Sequence, residues 1–273
     1  MNILDEELKQ QISQDILIPI VNGNFTRPLA QMPAIIDKLI ANIPANRRGS
    51  YGRVHVIKIL SSYLFTELAS RSMPIFDIAS TLFDRNTEPR SRGVWLGILS
   101  QYGELEFQSV LPIFQTAAAA SHWEIREFAQ MFFRKLIKRH PEASKAFLLR
   151  LVKSENPNLR RFVAETLRPV QENQWFYKTP DYPLSVLRYL FTEKVAYPRT
   201  AVGNNLSDLA RHLPNCIYSL VKELVASGDK NSYWIAYRAC RNLVKKEPEK
   251  VMKILRVDEY RYKSRIYHLS DYE

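Results

Sequence analysis

Apolar residues recur at i, i+3, i+4 and i+7 in successive stretches from 32–43 to 249–255, and few stretches alternate with period two. That spacing puts one apolar stripe on each helix and asks a neighbouring helix to cover it. Glycine is scarce, 8 residues in 273, against about 7% in an average chain. Glycines supply the positive-φ positions of hairpin turns and the close backbone approach of phosphate loops. Neither G-x-x-x-x-G-K-[ST] nor G-x-G-x-x-G occurs, so the nucleotide-binding α/β folds are disfavoured along with the all-β ones. Pro141, Pro214 and Pro248 follow short breaks between helical stretches, where proline is tolerated in a first turn. The expected fold is all-α.

Pairs of helices of this length point to a repeat. Four segments align: HWEIREFAQMFFRKLIKRHP (122–141), NLRRFVAETLRP (158–169), YPRTAVGNNLSDLARHLP (197–214) and YWIAYRACRNLVKKEP (233–248). A small apolar residue marks one place in each (Ala129, Ala164, Val202 and Ala236), which lets neighbouring helices stack closely. In the same alignment Arg126, Arg161, Arg199 and Tyr233 fall at one place, so three arginines are expected along one edge. The implied architecture is a right-handed superhelix, a solenoid of HEAT-like two-helix repeats.

Charge is unevenly spread. The chain carries a net +11 from 39 basic and 28 acidic side chains, yet residues 1–121 balance to zero. The sequence therefore divides into a neutral helical cap (1–121), a basic repeat region (122–257) and a tail (258–273), in one continuous solenoid. A one-sided positive excess fits a polyanion-binding surface, with the arginine row following a nucleic-acid backbone. The segment ENQWFYKTPDY (172–182) reads as an insertion in the array. The tail YRYKSRIY (260–267) interleaves bases and aromatics and reads as a mobile or docked tail, one also suited to gripping a nucleic-acid strand. Cys216 and Cys240 form no C-x-x-C, and the five histidines make no H-E-x-x-H, so neither a metal nor a cofactor is expected. No apolar run approaches the roughly 18 residues of a membrane span. A cytoplasmic monomer, not held in a membrane, is expected.

With that register set, the segments resemble the AlkC/AlkD superfamily of HEAT-like repeat DNA alkylation-repair glycosylases, most closely its AlkC-like members. NPNLRRFVAETLRP is similar to that family's N-P-x-V-R-R-L-A-S-E-G-T-R-P. YPRTAVGNNLSDLARHLP is similar to Y-V-R-R-S-V-A-N-x-L-N-D-I-A-K, and WIAYRACRNLVKK to W-I-I-x-H-A-L-R-T-L-x-K. The resemblance spans residues 122–257. It implies double-stranded DNA carrying alkylated bases as the partner, and release of cationic N3- or N7-methylpurines as the activity.

On that resemblance Glu127 is the catalytic carboxylate and Trp123 the aromatic beside it, an i, i+4 pair on one helix face. Arg126, Arg160, Arg161, Arg199, Arg238 and Arg241 are the implied DNA-backbone contacts. The chain departs from the family in two places. Asn156 and Asn158 occupy a loop where AlkC-like proteins have a second carboxylate, and Arg238 stands where AlkD-like ones have a tryptophan. The competing reading is a non-catalytic HEAT-repeat protein that binds DNA structures or protein partners.

Overall fold

The computed structural model describes residues 3–273, the side chains of Ser50 and Tyr51 excepted. Among the described residues the chain is all-α apart from one two-stranded sheet near its C-terminal end. None of the helices is long and apolar enough to cross a membrane. The chain forms two compact units, one running to His140 and the other beginning at Pro141.

The first unit contains α1 (Glu6–Ile12), α2 (Ile18–Val21), α3 (Thr26–Ala41), α4 (Arg48–Ser70), α5 (Ile75–Arg85), α6 (Pro89–Tyr102), α7 (Phe107–Ala119) and α8 (Trp123–Arg139). Gly52 breaks α4 near its start, at φ +34°. Helix α6 is the centre of this unit, with nearly every residue from Ser91 to Ser100 buried and α3, α4, α5, α7 and α8 packed around it. Gly93 and Gly97 lie one turn apart on the side facing α8. A Cβ at Gly93 would sit 2.7 Å from Phe128 Cδ2, and one at Gly97 2.7 Å from Phe132 Cζ and 2.5 Å from Ser61 Oγ. The two missing side chains are the room into which Phe128 and Phe132 fit, so they fix which face of α8 turns inward. Trp123 and Glu127 are left off the buried stripe of Ile125, Phe128, Ala129 and Phe132.

The second unit contains α9 (Pro141–Leu151), α10 (Pro157–Thr166), α11 (Asp181–Leu187), α12 (Ala196–Leu209), α13 (Pro214–Ala226), α14 (Lys230–Ala239) and α15 (Pro248–Leu255). Helices α10, α12 and α14 pack side by side as an inner layer, with α9, α11, α13 and α15 behind them. Polar side chains stitch the inner layer: Asn205 Nδ2 donates to Ala164 O at 2.8 Å, and Asn242 Nδ2 to Ser207 O at 2.8 Å. A two-layer helical repeat is therefore present in this unit, as the periodicity requires.

Counting from the helix starts corrects the register of one repeat. Asn156 is the N-cap of α10, its Oδ1 accepting from Asn158 N at 2.9 Å. The fully buried seventh helical places are then Ala129, Val163, Val202 and Ala236, so Val163 and not Ala164 matches Ala129. The fourth places are Arg126, Arg160, Arg199 and Tyr233, so Arg160 and not Arg161 continues the arginine row. Two adjacent arginines had hidden the one-residue slip.

Two further segments take definite form. The 172–182 segment is packed against its neighbours: Asn173 is fully buried and donates to Thr166 O and Arg168 O. Trp175, Phe176 and Tyr182 pack on one another, and Tyr182 OH donates to Pro141 O at 2.6 Å. The tail forms an antiparallel hairpin, β1 (Glu259–Tyr262) and β2 (Arg265–His268). Its Tyr260–Tyr267 pair is buried, with Tyr260 stacked on Tyr237 at 4.3 Å and its hydroxyl donating to Tyr237 O at 2.7 Å. Both cysteines are free thiols, and burial pushes that of Cys240 up to about 12.

Gly97→Ala tests the closeness of α6 to α8. Helix propensity alone favours alanine by about 1 kcal/mol, whereas overpacking costs about 1–3 kcal/mol. A net loss of stability in urea unfolding is expected, and a net gain would mean that Gly97 does not set that distance.

Candidate functional site

The Trp123 and Glu127 pair sits at the start of α8. His122 caps this helix, its Nδ1 accepting from Glu124 N at 3.3 Å. Glu124 is held by Arg53, Nη1 to Oε1 at 2.6 Å, so it is not the acid available to a ligand. Trp123 is 57% exposed, an unusual state for so large a ring, and the His122 ring lies beside it, centroids 6.3 Å apart. Glu127, one turn further along, is half-buried and accepts from Gln130 Nε2. That amide is itself buried and on the same helix, so the carboxylate is oriented by its own scaffold.

The arginines at the fourth helical place have a shared structural duty. Arg126 Nη1 donates to Ala120 O and Ser121 O, each at 2.7 Å. Arg160 Nη1 donates to Ser154 O at 2.7 Å and Glu155 O at 2.9 Å, the same offsets along the chain. Arg199 Nη1 reaches Lys194 O at 3.5 Å and Asn231 Oδ1 at 2.5 Å. Each arginine thus fastens the loop that leads into its own helix. Arg160 also forms a two-pronged ion pair with the buried Glu193, at 2.6 and 3.0 Å. Burial pushes the Glu193 carboxyl up, but the bonds from Arg160 and from Val195 N–H, with the Arg160 charge, hold it below the usual carboxylate range.

The remaining three arginines are stacked on rings. Arg161 lies 4.5 Å from the Tyr197 ring and 3.4 Å from Glu165 Oε1. Glu165 is buried and also meets Arg168 at 3.2 Å, which makes it part of an internal ion-pair network. The Trp234 ring carries Arg199 at 4.8 Å and Arg238 at 5.3 Å. Arg238 Nε and Arg241 Nη2 both donate to one acceptor, Asn204 Oδ1, at 2.9 and 2.6 Å. Neither has a carboxylate within 4.0 Å among the described residues. Burial, then the Arg241 charge, pull the Arg238 guanidinium below its ordinary value. Gly203 makes this possible, since a Cβ there would meet Arg238 Cβ at 2.9 Å.

The second unit carries 23 basic and 15 acidic side chains from residue 141 onward, so its excess is not neutralised overall. Within it, the more deeply buried carboxylates meet Arg160, Arg161 and Arg168, other acids pair with Arg188, Lys250, Lys253 and Arg261, and Arg238 and Arg241 have none within 4.0 Å among the described residues. Sequence reasoning missed Glu193, Asn204 and Asn231. Each acts on a residue 32 to 37 positions away, and no local pattern announces such a partner. No protein-family model, curated protein or solved structure matches the chain.

Removing one member of a buried ion pair strands the other, at a cost of about 3–5 kcal/mol. Arg160→Ala is expected to destabilise the fold on that scale. Because the folded Glu193 value is depressed, the pair's contribution is complete above the ordinary carboxylate value of about 4.3. It is lost as pH falls through the lower folded value. Urea midpoints measured from pH 7 downward should show that loss in wild type and not in Arg160→Ala. An unchanged midpoint in the variant at pH 7 would remove the structural role assigned to Arg160.

Proposed function

We propose that the chain is an AlkC-like DNA glycosylase that releases cationic N3- or N7-alkylated purines from duplex DNA, acting as a cytoplasmic monomer without cofactor. The observation that carries this reading is the pairing on α8 of a largely exposed indole, Trp123, with an oriented carboxylate one turn away, Glu127. The remaining support is the sequence resemblance over residues 122–257 and the unpaired Arg238 and Arg241.

The chemistry asks little of such a site. An N3- or N7-alkylated purine carries a positive charge, so the C1′–N9 bond breaks with its electron pair going to the base, which leaves neutral. The sugar becomes an oxocarbenium-like cation. A fixed carboxylate stabilises that charge, and electrostatic stabilisation of this kind is commonly the largest catalytic contribution. Water then adds to C1′ and gives up a proton, leaving an abasic site and the free base. The indole face of Trp123 attracts the cationic lesion or sugar, as aromatic faces attract cations. Arg238 and Arg241 bind phosphates, with Arg161 and Arg199 beside them. Arg126 and Arg160 hold the loops that position the helices.

A second reading is favoured by one observation. Asn156, in the loop where AlkC-like proteins have another carboxylate, is a neutral residue committed to capping α10. On that reading the chain is a non-catalytic HEAT-repeat protein that binds DNA structures without cutting the glycosidic bond.

Single-turnover assays on duplexes containing 7-methylguanine or 3-methyladenine separate the two. Release of free methylated base by wild type is expected, with a drop of about a hundredfold or more in Glu127→Gln, the scale of losing one preorganised electrostatic group. DNA binding should be retained in the variant. Binding without base release in wild type would favour the second reading, and no duplex binding at low salt would overturn both.

A further inference from the structure

The hairpin brings cations together that the helices alone do not. Tyr262, on the face of β1 that packs toward α14, has three of them around its ring: Lys245 Nζ at 5.0 Å, Lys263 Nζ at 5.7 Å and the Arg241 guanidinium at 5.8 Å. Arg241 and Lys245 follow one another by four residues at the end of the α14 segment, while Lys263 comes from the turn between β1 and β2. Among the described residues none of the three has a carboxylate within 4.0 Å. The hairpin's own acid, Glu259, is on the opposite face of β1, where it meets Arg261 at 3.6 Å and His268 at 3.9 Å.

The platform is tied to α14 and closed at its base. Tyr237 OH accepts from Arg261 N at 2.9 Å, Tyr260 is fully buried, and Leu269 N closes the hairpin base on Asp258 O at 2.8 Å. Lys263 is in left-handed conformation, φ +57°, where glycine or asparagine is the less strained choice. A lysine kept in such a conformation points to a use for its side chain rather than for the turn.

We infer that Arg241, Lys245 and Lys263 around Tyr262 form a binding site for a nucleic-acid phosphodiester, so that the C-terminal hairpin is a DNA-backbone contact. This rests on the DNA-binding part of the function proposed above and is independent of base release. The ring serves as a neutral, electron-rich seat that holds like charges near one another. A phosphodiester supplies the missing counter-charge, and because it is common to every nucleotide the contact carries no sequence preference. The ring's surroundings are taken by cations, which makes base stacking on Tyr262 the less fitting use.

The experiment is equilibrium binding of the full chain to a fluorescent duplex and to a single strand of equal length, as a function of salt, for wild type, Lys263→Gly and Lys245→Gln. Lys263→Gly relaxes the turn, so its stability should equal or exceed that of wild type, and a binding loss cannot then be ascribed to misfolding. Each variant is expected to weaken duplex binding uniformly across sequences and to lower the slope of log K against log salt by about 1. Unchanged affinity and slope in both variants, with wild type binding normally, would overturn the site while leaving the proposed function standing. Failure of wild type to bind duplex at low salt would overturn both. Weakening confined to the single strand would also overturn it, since a backbone contact has no reason to spare the duplex.

Discussion

Close approach between neighbouring inner helices is the constraint on which the other features depend. In the first unit Gly93 and Gly97 leave the space that Phe128 and Phe132 of α8 enter. In the second, Gly203 lets the stem of Arg238 lie across α12. A scarce residue is thus placed where backbones or stems must pass within contact distance. The consequence is rotational. Once Phe128 and Phe132 are seated, the 100° step per helical residue turns Trp123 and Glu127 off the buried stripe. An indole with more than half its surface exposed is then a by-product of packing that a ligand can use.

Close stacking also creates a problem at each helix start, where the lead-in loops carry carbonyls that need donors. The arginines at the fourth helical place solve it. Arg126 and Arg160 bond the carbonyls five and six residues behind them, and Arg199 bonds one five behind and also reaches α14 at Asn231. Guanidinium suits the task because its planar fork of donors meets two acceptors at once. A recurring arginine in a helical repeat therefore has two competing explanations, a polyanion outside or a loop inside. The offsets of the bonded carbonyls show that the loop is satisfied first.

Much of this was legible in the sequence, and what was not has identifiable causes. The apolar spacing of α8 is plain in the sequence, and its basic last turn, Lys138 and Arg139, marks the C-terminal end. The start of α12 is less legible, because Ala196 to Pro198 carry no apolar stripe and Pro198 is buried by tertiary packing. Helical periodicity overlooked the hairpin because Tyr260, Tyr262 and Tyr267 alternate over only four residues per strand, too short a run to outweigh a helical chain. The one-residue slip at Arg160 and Arg161 came from weighing residue type over cap geometry. Asn156, read as a cap, sets the register correctly.

In the second unit the more deeply buried carboxylates serve the arginines around α10 and α12, while more exposed pairs join Glu223 to Arg188, Glu247 to Lys250, Glu249 to Lys253 and Glu259 to Arg261. Glu193 is committed to Arg160, Glu165 to Arg161 and Arg168, and Asp208 to Arg168 and Arg211. All of these lie toward α10 and α12. Among the described residues Arg238, Arg241 and Lys245, with Lys263 from the hairpin, have no carboxylate within 4.0 Å and meet instead two amide oxygens, of Asn204 and Asn242, and aromatic rings. Folding gains little from that arrangement: a half-buried Arg238 beside Arg241 works against its own charge, as the lowered guanidinium value records. A fold under selection for stability alone would place an acid there, as it does three times nearby. Positive charge left without a carboxylate on packed supports is what a surface needs if its counter-ion is to arrive from outside.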